Sequence, residues 1–121
     1  FTDQHRCMVM REAMRVKGLR IPNTYKGLVD LYDVSDDWIP IYDKSDLPGF
    51  YMAVGTSGNQ YKNAPVVGAM MANLIMACEA GLDHDTFPFQ LDLKYLQRSL
   101  DIGFFSRNRE INNDSSFSVI G

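Results

Sequence analysis

Apolar side chains recur at helical spacing in three stretches and at strand length in three. In residues 3–17, Cys7, Met10 and Met14 form a stripe that Val9, Ala13 and Val16 widen, which predicts an amphipathic helix. Gly18 and Pro22 end it, since glycine accepts left-handed geometry and proline cannot continue the ladder. Strand-sized segments follow at 27–33 (GLVDLYD) and 38–42 (WIPIY), parted by turn formers, with Pro40 making the second an edge or irregular strand. Asp46-Leu47-Pro48-Gly49 predicts a tight turn. The near-continuous apolar run 50–55 (FYMAVG) then predicts a strand covered on both faces. A second helix is predicted from Ala64 to Ala80, with Val67, Met70, Met71, Leu74, Ile75 and Cys78 on a broad apolar face and Gly81 closing it. Leu93, Leu96 and Leu100 suggest a short helix between Pro88 and Gly103, and residues 106–121 read as a polar tail extended over a surface.

The order of elements is α+β, or a slice of an α/β fold whose sheet is incomplete on its own. Its uncovered edges make an intertwined or homo-oligomeric assembly one expectation. With 121 residues, 45% hydrophobic and 22% charged, the composition is that of a globular domain or a piece of one. A net charge of −3, from 12 basic and 15 acidic residues, gives no electrostatic footprint for nucleic acid. No apolar run approaches the roughly 20 residues of a membrane span, and two cysteines do not make a disulfide scaffold. A soluble, intracellular protein is the expectation. The chain starts at Phe1 without a basic-then-apolar leader, so it is read as a processed or excised piece, or as a sequence whose true start lies upstream.

Chemistry concentrates in VGTSGNQYKNAPVVG, residues 54–68, where a strand runs through a glycine-containing turn into a long helix. Such junctions leave backbone N–H groups and the positive end of the helix dipole facing outward, and ligands of open α/β sheets sit beyond strand carboxyl ends. Lys62 adds a positive charge there. Neither G-x-x-x-x-G-K-[ST] nor G-x-G-x-x-G is present. A plain tight connection is the competing reading.

Residues 27–75 closely resemble the carboxyl-terminal flavin-binding segment of the D-amino-acid-oxidase-like family of FAD-dependent oxidoreductases, which includes sarcosine oxidase, dimethylglycine dehydrogenase and glycine oxidase. Members carry G-x-Y-x-x-[TS]-x-D, a few strands, then G-x-S-G-x-G-[FY]-K-x-[AS]-P-x-x-G. The matching residues are Tyr32, Ser35, Asp37, Gly55, Ser57, Gly58, Tyr61, Lys62, Ala64, Pro65 and Gly68. The end of the chain (REINNDSSFSV) also resembles tails of this family. The resemblance implies an α+β fragment of an α/β FAD-binding fold, a few strands with two main helices. Residues 1–26 would end the substrate (cap) domain, 27–82 would belong to the FAD-binding domain, and 83–121 would be the tail.

By the same resemblance, Gly55, Thr56, Ser57, Gly58, Asn59, Gln60, Tyr61 and Lys62 would line the isoalloxazine ring of FAD. Tyr32 and Lys62 would meet a small amine or amino-acid substrate, and Asp30 and Tyr32 would lie on the strand facing the ring. The implied reaction removes a hydride equivalent beside a C–N bond, with no catalytic side chain assigned because flavin performs the difficult step. Two departures stand out. Gln60 replaces the second glycine of S-G-x-G, and the segment 28–32 holds Asp30 but no cysteine for covalent flavin attachment. The dinucleotide fingerprint that grips the FAD pyrophosphate is absent from these residues, so the remainder of the chain or a partner subunit is implied. A non-catalytic structural or interaction module is the alternative.

Other residues read more plainly. His5 and His84 are expected at the surface or satisfied in the core. Asp83-His84-Asp85 lacks a second ligand cluster, so no metal site is assigned. Cys7, Cys78 and Met8, Met10, Met14, Met70, Met71 and Met76 read as core or helix–helix filler. Trp38 reads as packing, Arg107 and Arg109 as a solvated tail with an anion clamp as the competing reading, and Asp36-Asp37 as turn chemistry.

Overall fold

The computed structural model describes residues 2–24, 26–28 and 30–118. They fall into two compact units, 1–31 and 32–121. Among the described residues the architecture is α+β, with two α-helices and two small antiparallel sheets. Among the described residues no helix is long and apolar enough to cross a membrane.

The first unit is built on helix α1 (Asp3–Arg15). The Thr2 hydroxyl accepts the His5 N–H at 3.3 Å, and Asp3 and Arg15 place opposite charges at the ends where the dipole favours each. None of its residues is buried. The expected packing of its apolar stripe is therefore not found within the unit: Cys7 is exposed, and Met14 retains 87% of its accessible surface. The expected strand at 27–33 is also absent among the described residues, Val29 lying outside them. Leu28 and Leu31 are exposed, and no neighbouring strand hydrogen-bonds to this stretch to turn a strand-forming sequence into a strand.

In the second unit β1 (Ile41–Lys44) pairs antiparallel with β2 (Tyr51–Val54), in the register Ile41↔Val54 to Lys44↔Tyr51. Pro40, which has no N–H to donate, immediately precedes β1. The Ser45 N–H to Phe50 carbonyl bond, 2.8 Å, closes the hairpin around Leu47-Pro48-Gly49. Beyond β2 the chain turns through Gly55–Gln60 and a single 3₁₀ turn (Tyr61–Asn63) into α2 (Ala64–Glu79), whose first turn holds Pro65. Helix α2 lies against β1 and buries Met70 and Leu74. With Tyr42 and Ile102 they form the core, flanked by Val67, Met71, Cys78, Phe89, Leu91, Leu100 and Phe105. The thiol of half-buried Cys78 is pushed up chiefly by burial.

Three expectations fail here. The apolar run of β2 is not covered on both faces, because a two-stranded sheet has one helix-covered side, and Ala53 and Val54 are exposed. Met76 is exposed, so only Met70 and half-buried Met71 serve as filler. The leucines at 93, 96 and 100 do not make a helix. They belong to a second hairpin, β3 (Gln90–Leu93) with β4 (Arg98–Asp101), paired Gln90↔Asp101 to Leu93↔Arg98. Alternation decides it, since Leu91 and Leu93 point inward between exposed Gln90 and Asp92 while Leu96 sits at the exposed tip.

Candidate functional site

The turn after β2 is held from outside by Asp33. Its carboxylate accepts the Gly55 N–H, the Thr56 N–H at 3.2 Å and the Thr56 hydroxyl at 2.8 Å. Its carbonyl accepts the Ser57 N–H at 2.9 Å. The Thr56 hydroxyl, then the Gly55 N–H, hold the Asp33 carboxyl below its usual range. Gly55, Ser57 and Gly58 have left-handed φ of 66°, 53° and 72°. Gly55 suits its place on two counts, because a Cβ there would also stand 3.1 Å from Ser35 Cβ.

The amides of Gly55, Thr56 and Ser57 are thus engaged within the chain. Those of Gly58 and Gln60 have no hydrogen-bond partner among the described residues. Both residues line an open cleft of about 400 Å³, together with Thr56, Tyr61 and the apolar Ala53, Ala64 and Val67. The Gln60 side chain stands between this cleft and a second, of about 410 Å³, walled by Trp38, Pro40, Phe104 and Phe105. Its Oε1 accepts from the Tyr42 hydroxyl at 3.3 Å and the Asn63 amide at 2.9 Å. Tyr42 lines both clefts, and its phenol is raised by burial and then by the Asp33 charge.

Of the sequence-predicted residues, 55–62 are gathered at this turn. Lys62 Nζ donates to Asn59 Oδ1 at 3.0 Å, and Tyr61 is 97% exposed. Tyr32 is half-exposed and directly precedes the clamping Asp33. Asp30 accepts the N–H of its neighbour Leu31 at 2.8 Å. Trp38 holds a left-handed φ of 62° at the second cleft. Asp33 escaped the sequence reading, although an acidic residue spaced from a strand–turn–helix junction is the type that satisfies exposed amides.

The tail carries a second polar cluster, contrary to its reading as a solvated surface strap. Arg109 grips buried Asp37 through two nitrogens, at 2.6 and 3.1 Å, and the Asn112 N–H adds a third bond at 3.2 Å. Asp37 also accepts locally from Ser35 and Ile39, so the turn reading of that residue covers part of its role. The Arg109 guanidinium holds its carboxyl far below the usual range. Arg107 reaches Asp43, Asp46 and Asp85, with Lys44 on Asp85 at 2.5 Å, and Arg107 first and Lys44 second lower the Asp85 carboxyl to about 2.

His84 is buried beside fully buried Asp43. Its Nδ1 accepts the Phe89 N–H at 2.9 Å, which leaves the ring proton on Nε2, 3.6 Å from Asp43 Oδ1 and without a hydrogen bond. No group of three or more His, Cys, Asp or Glu residues suited to a metal ion occurs among the described residues. No family model matches the chain, and no curated protein and no solved structure matches it.

Proposed function

We propose that this chain supplies one wall of the flavin site of a FAD-dependent oxidoreductase acting on the C–N bond of an amino acid or N-methylated amine. In this reading it is a fragment of an α/β FAD-binding fold, completed by the remainder of a longer chain or by a partner subunit. The observation that carries it is a pair of amides without a partner among the described residues, those of Gly58 and Gln60, in residues that line a cleft with Ala53, Ala64 and Val67. Small-molecule sites have this make-up, an apolar lining with a few fixed donors, at volumes of roughly 300–1,000 Å³. A flat ring with one polar edge suits such a lining, and Gln60 does not obstruct the donors because its side chain is drawn to Tyr42 and Asn63.

FAD, when bound, supplies the two-electron acceptor for hydride removal from the carbon beside nitrogen. The chain's own contribution is to bind and orient. Gly58 and Gln60 donate to the polar edge, and the amino-terminal end of α2 favours negative charge nearby. Lys62 spends one N–H on Asn59 and keeps two for a substrate carboxylate.

A second reading, a module that keeps the fold without flavin, draws on the Asp33 clamp, which satisfies three turn amides without any ligand. Visible absorbance of the complete natural protein, purified without added cofactor and again after FAD is supplied, separates the two. Flavin that co-purifies and is lost in Gly58→Val supports the flavin wall. A colourless protein that takes up no FAD sinks it.

A further inference from the structure

Asp33 places four hydrogen bonds on three successive residues, with its carboxylate on Gly55 and Thr56 and its carbonyl on Ser57. Ser57 carries a side chain at a φ of 53°, a backbone state that such residues adopt only under restraint. Its hydroxyl donates to the Gly55 carbonyl at 3.1 Å, which tightens the same loop from within. Among the described residues the carboxylate belongs to no ion pair, and Thr56, which it binds, lies in the wall of the cleft.

We infer that Asp33 is the positioning residue of the β2–α2 turn: it occupies the first three amides, leaves those of Gly58 and Gln60 to face the ligand, and sets a fixed negative charge beside it. The identity of that ligand rests on the flavin reading; the clamp does not. A carboxylate near a ring that gains electrons opposes the gain, so Asp33 lowers the reduction potential of the bound flavin.

The test uses the complete natural protein as wild type, Asp33→Asn and Thr56→Val. Amide hydrogen exchange is followed at residues 55–60, and the reduction potential of any bound flavin is measured. In the wild type freed of flavin, Gly55, Thr56 and Ser57 are protected while Gly58 and Gln60 exchange rapidly. Asp33→Asn speeds exchange at Gly55 and Thr56 by about tenfold, leaves Leu74 protected, and raises the potential. Thr56→Val, which keeps the charge, speeds exchange less and leaves the potential in place; it also serves as the test if Asp33→Asn does not fold. Equal exchange at Gly55 and Thr56 in all three proteins overturns the clamp. An unmoved potential in flavin-loaded Asp33→Asn overturns the charge effect. Lost protection in Asp33→Asn, with no flavin in any of the three, keeps the clamp and removes the flavin reading.

Discussion

Helix α1 and the segment 106–112 reverse each other's expectations. The helix carries an apolar stripe at regular spacing and buries none of its residues. The tail segment is rich in charge and amides, yet Arg109 and Asn112 close over a carboxylate that is 1% exposed. Regular apolar spacing shows which face of a helix would pack, and a partner surface must still be supplied. Charge, conversely, is compatible with burial where every lone pair and proton finds a mate, as at Asp37.

The largest expected effect is on the tail side. Arg109→Ala leaves the Asp37 carboxylate without its cation and should cost about 3–5 kcal/mol of stability, read by denaturant unfolding. A loss under about 1 kcal/mol would show that the pair belongs among weak surface contacts after all. Leu74→Ala, at a fully buried core position, should cost about 2–5 kcal/mol by the same measurement and provides the apolar yardstick for the polar lock.

Next in size is Gly55→Ala, for which left-handed φ alone costs about 1–2 kcal/mol and the approach of Ser35 adds crowding. A neutral outcome in thermal unfolding would mean that the turn relaxes freely.

Acid should loosen the lock by degrees. The folded carboxyls of Asp37 and Asp85 titrate below their ordinary 3.8, so their stabilisation is complete above that value. It is lost as pH falls through the folded value, about 2 for Asp85 and lower for Asp37. The unfolding midpoint should therefore drop as pH is lowered from about 4 toward 2. A midpoint that holds constant over that interval would contradict the pairing.

Smallest of all is Met14→Ala on α1, expected within about 0.5 kcal/mol because the side chain is 87% exposed. A cost like that of Leu74→Ala would reveal a surface covering the α1 stripe and dissolve the contrast between the two regions.

Local signals made part of this legible from sequence. Helix α2 was readable because its apolar face, Pro65 near its start and Gly81 after its end all agree. The turn at Asp46–Gly49 and the junction at 55–62 follow from glycine and proline chemistry. The hairpin at 90–101 was missed because leucines at 93, 96 and 100 fit a helical stripe as well as two strands joined by a turn. Pairing of Leu91 with Leu100 settles the matter and is non-local. The Asp33 clamp and the identity of the anion that Arg109 grips lay beyond reach for the same reason. Both contacts join residues far apart in the chain, and the polarity of the tail pointed toward solvent.

The Arg109–Asp37 bond spans 72 positions. During synthesis β1, β2 and α2 leave the ribosome ahead of residues 106–112, so Asp37 and Asp43 reach solvent before their arginines do. Until residue 109 clears the exit tunnel, the nascent unit holds two acids that must stay hydrated, so its interior is sealed only by late-translated residues.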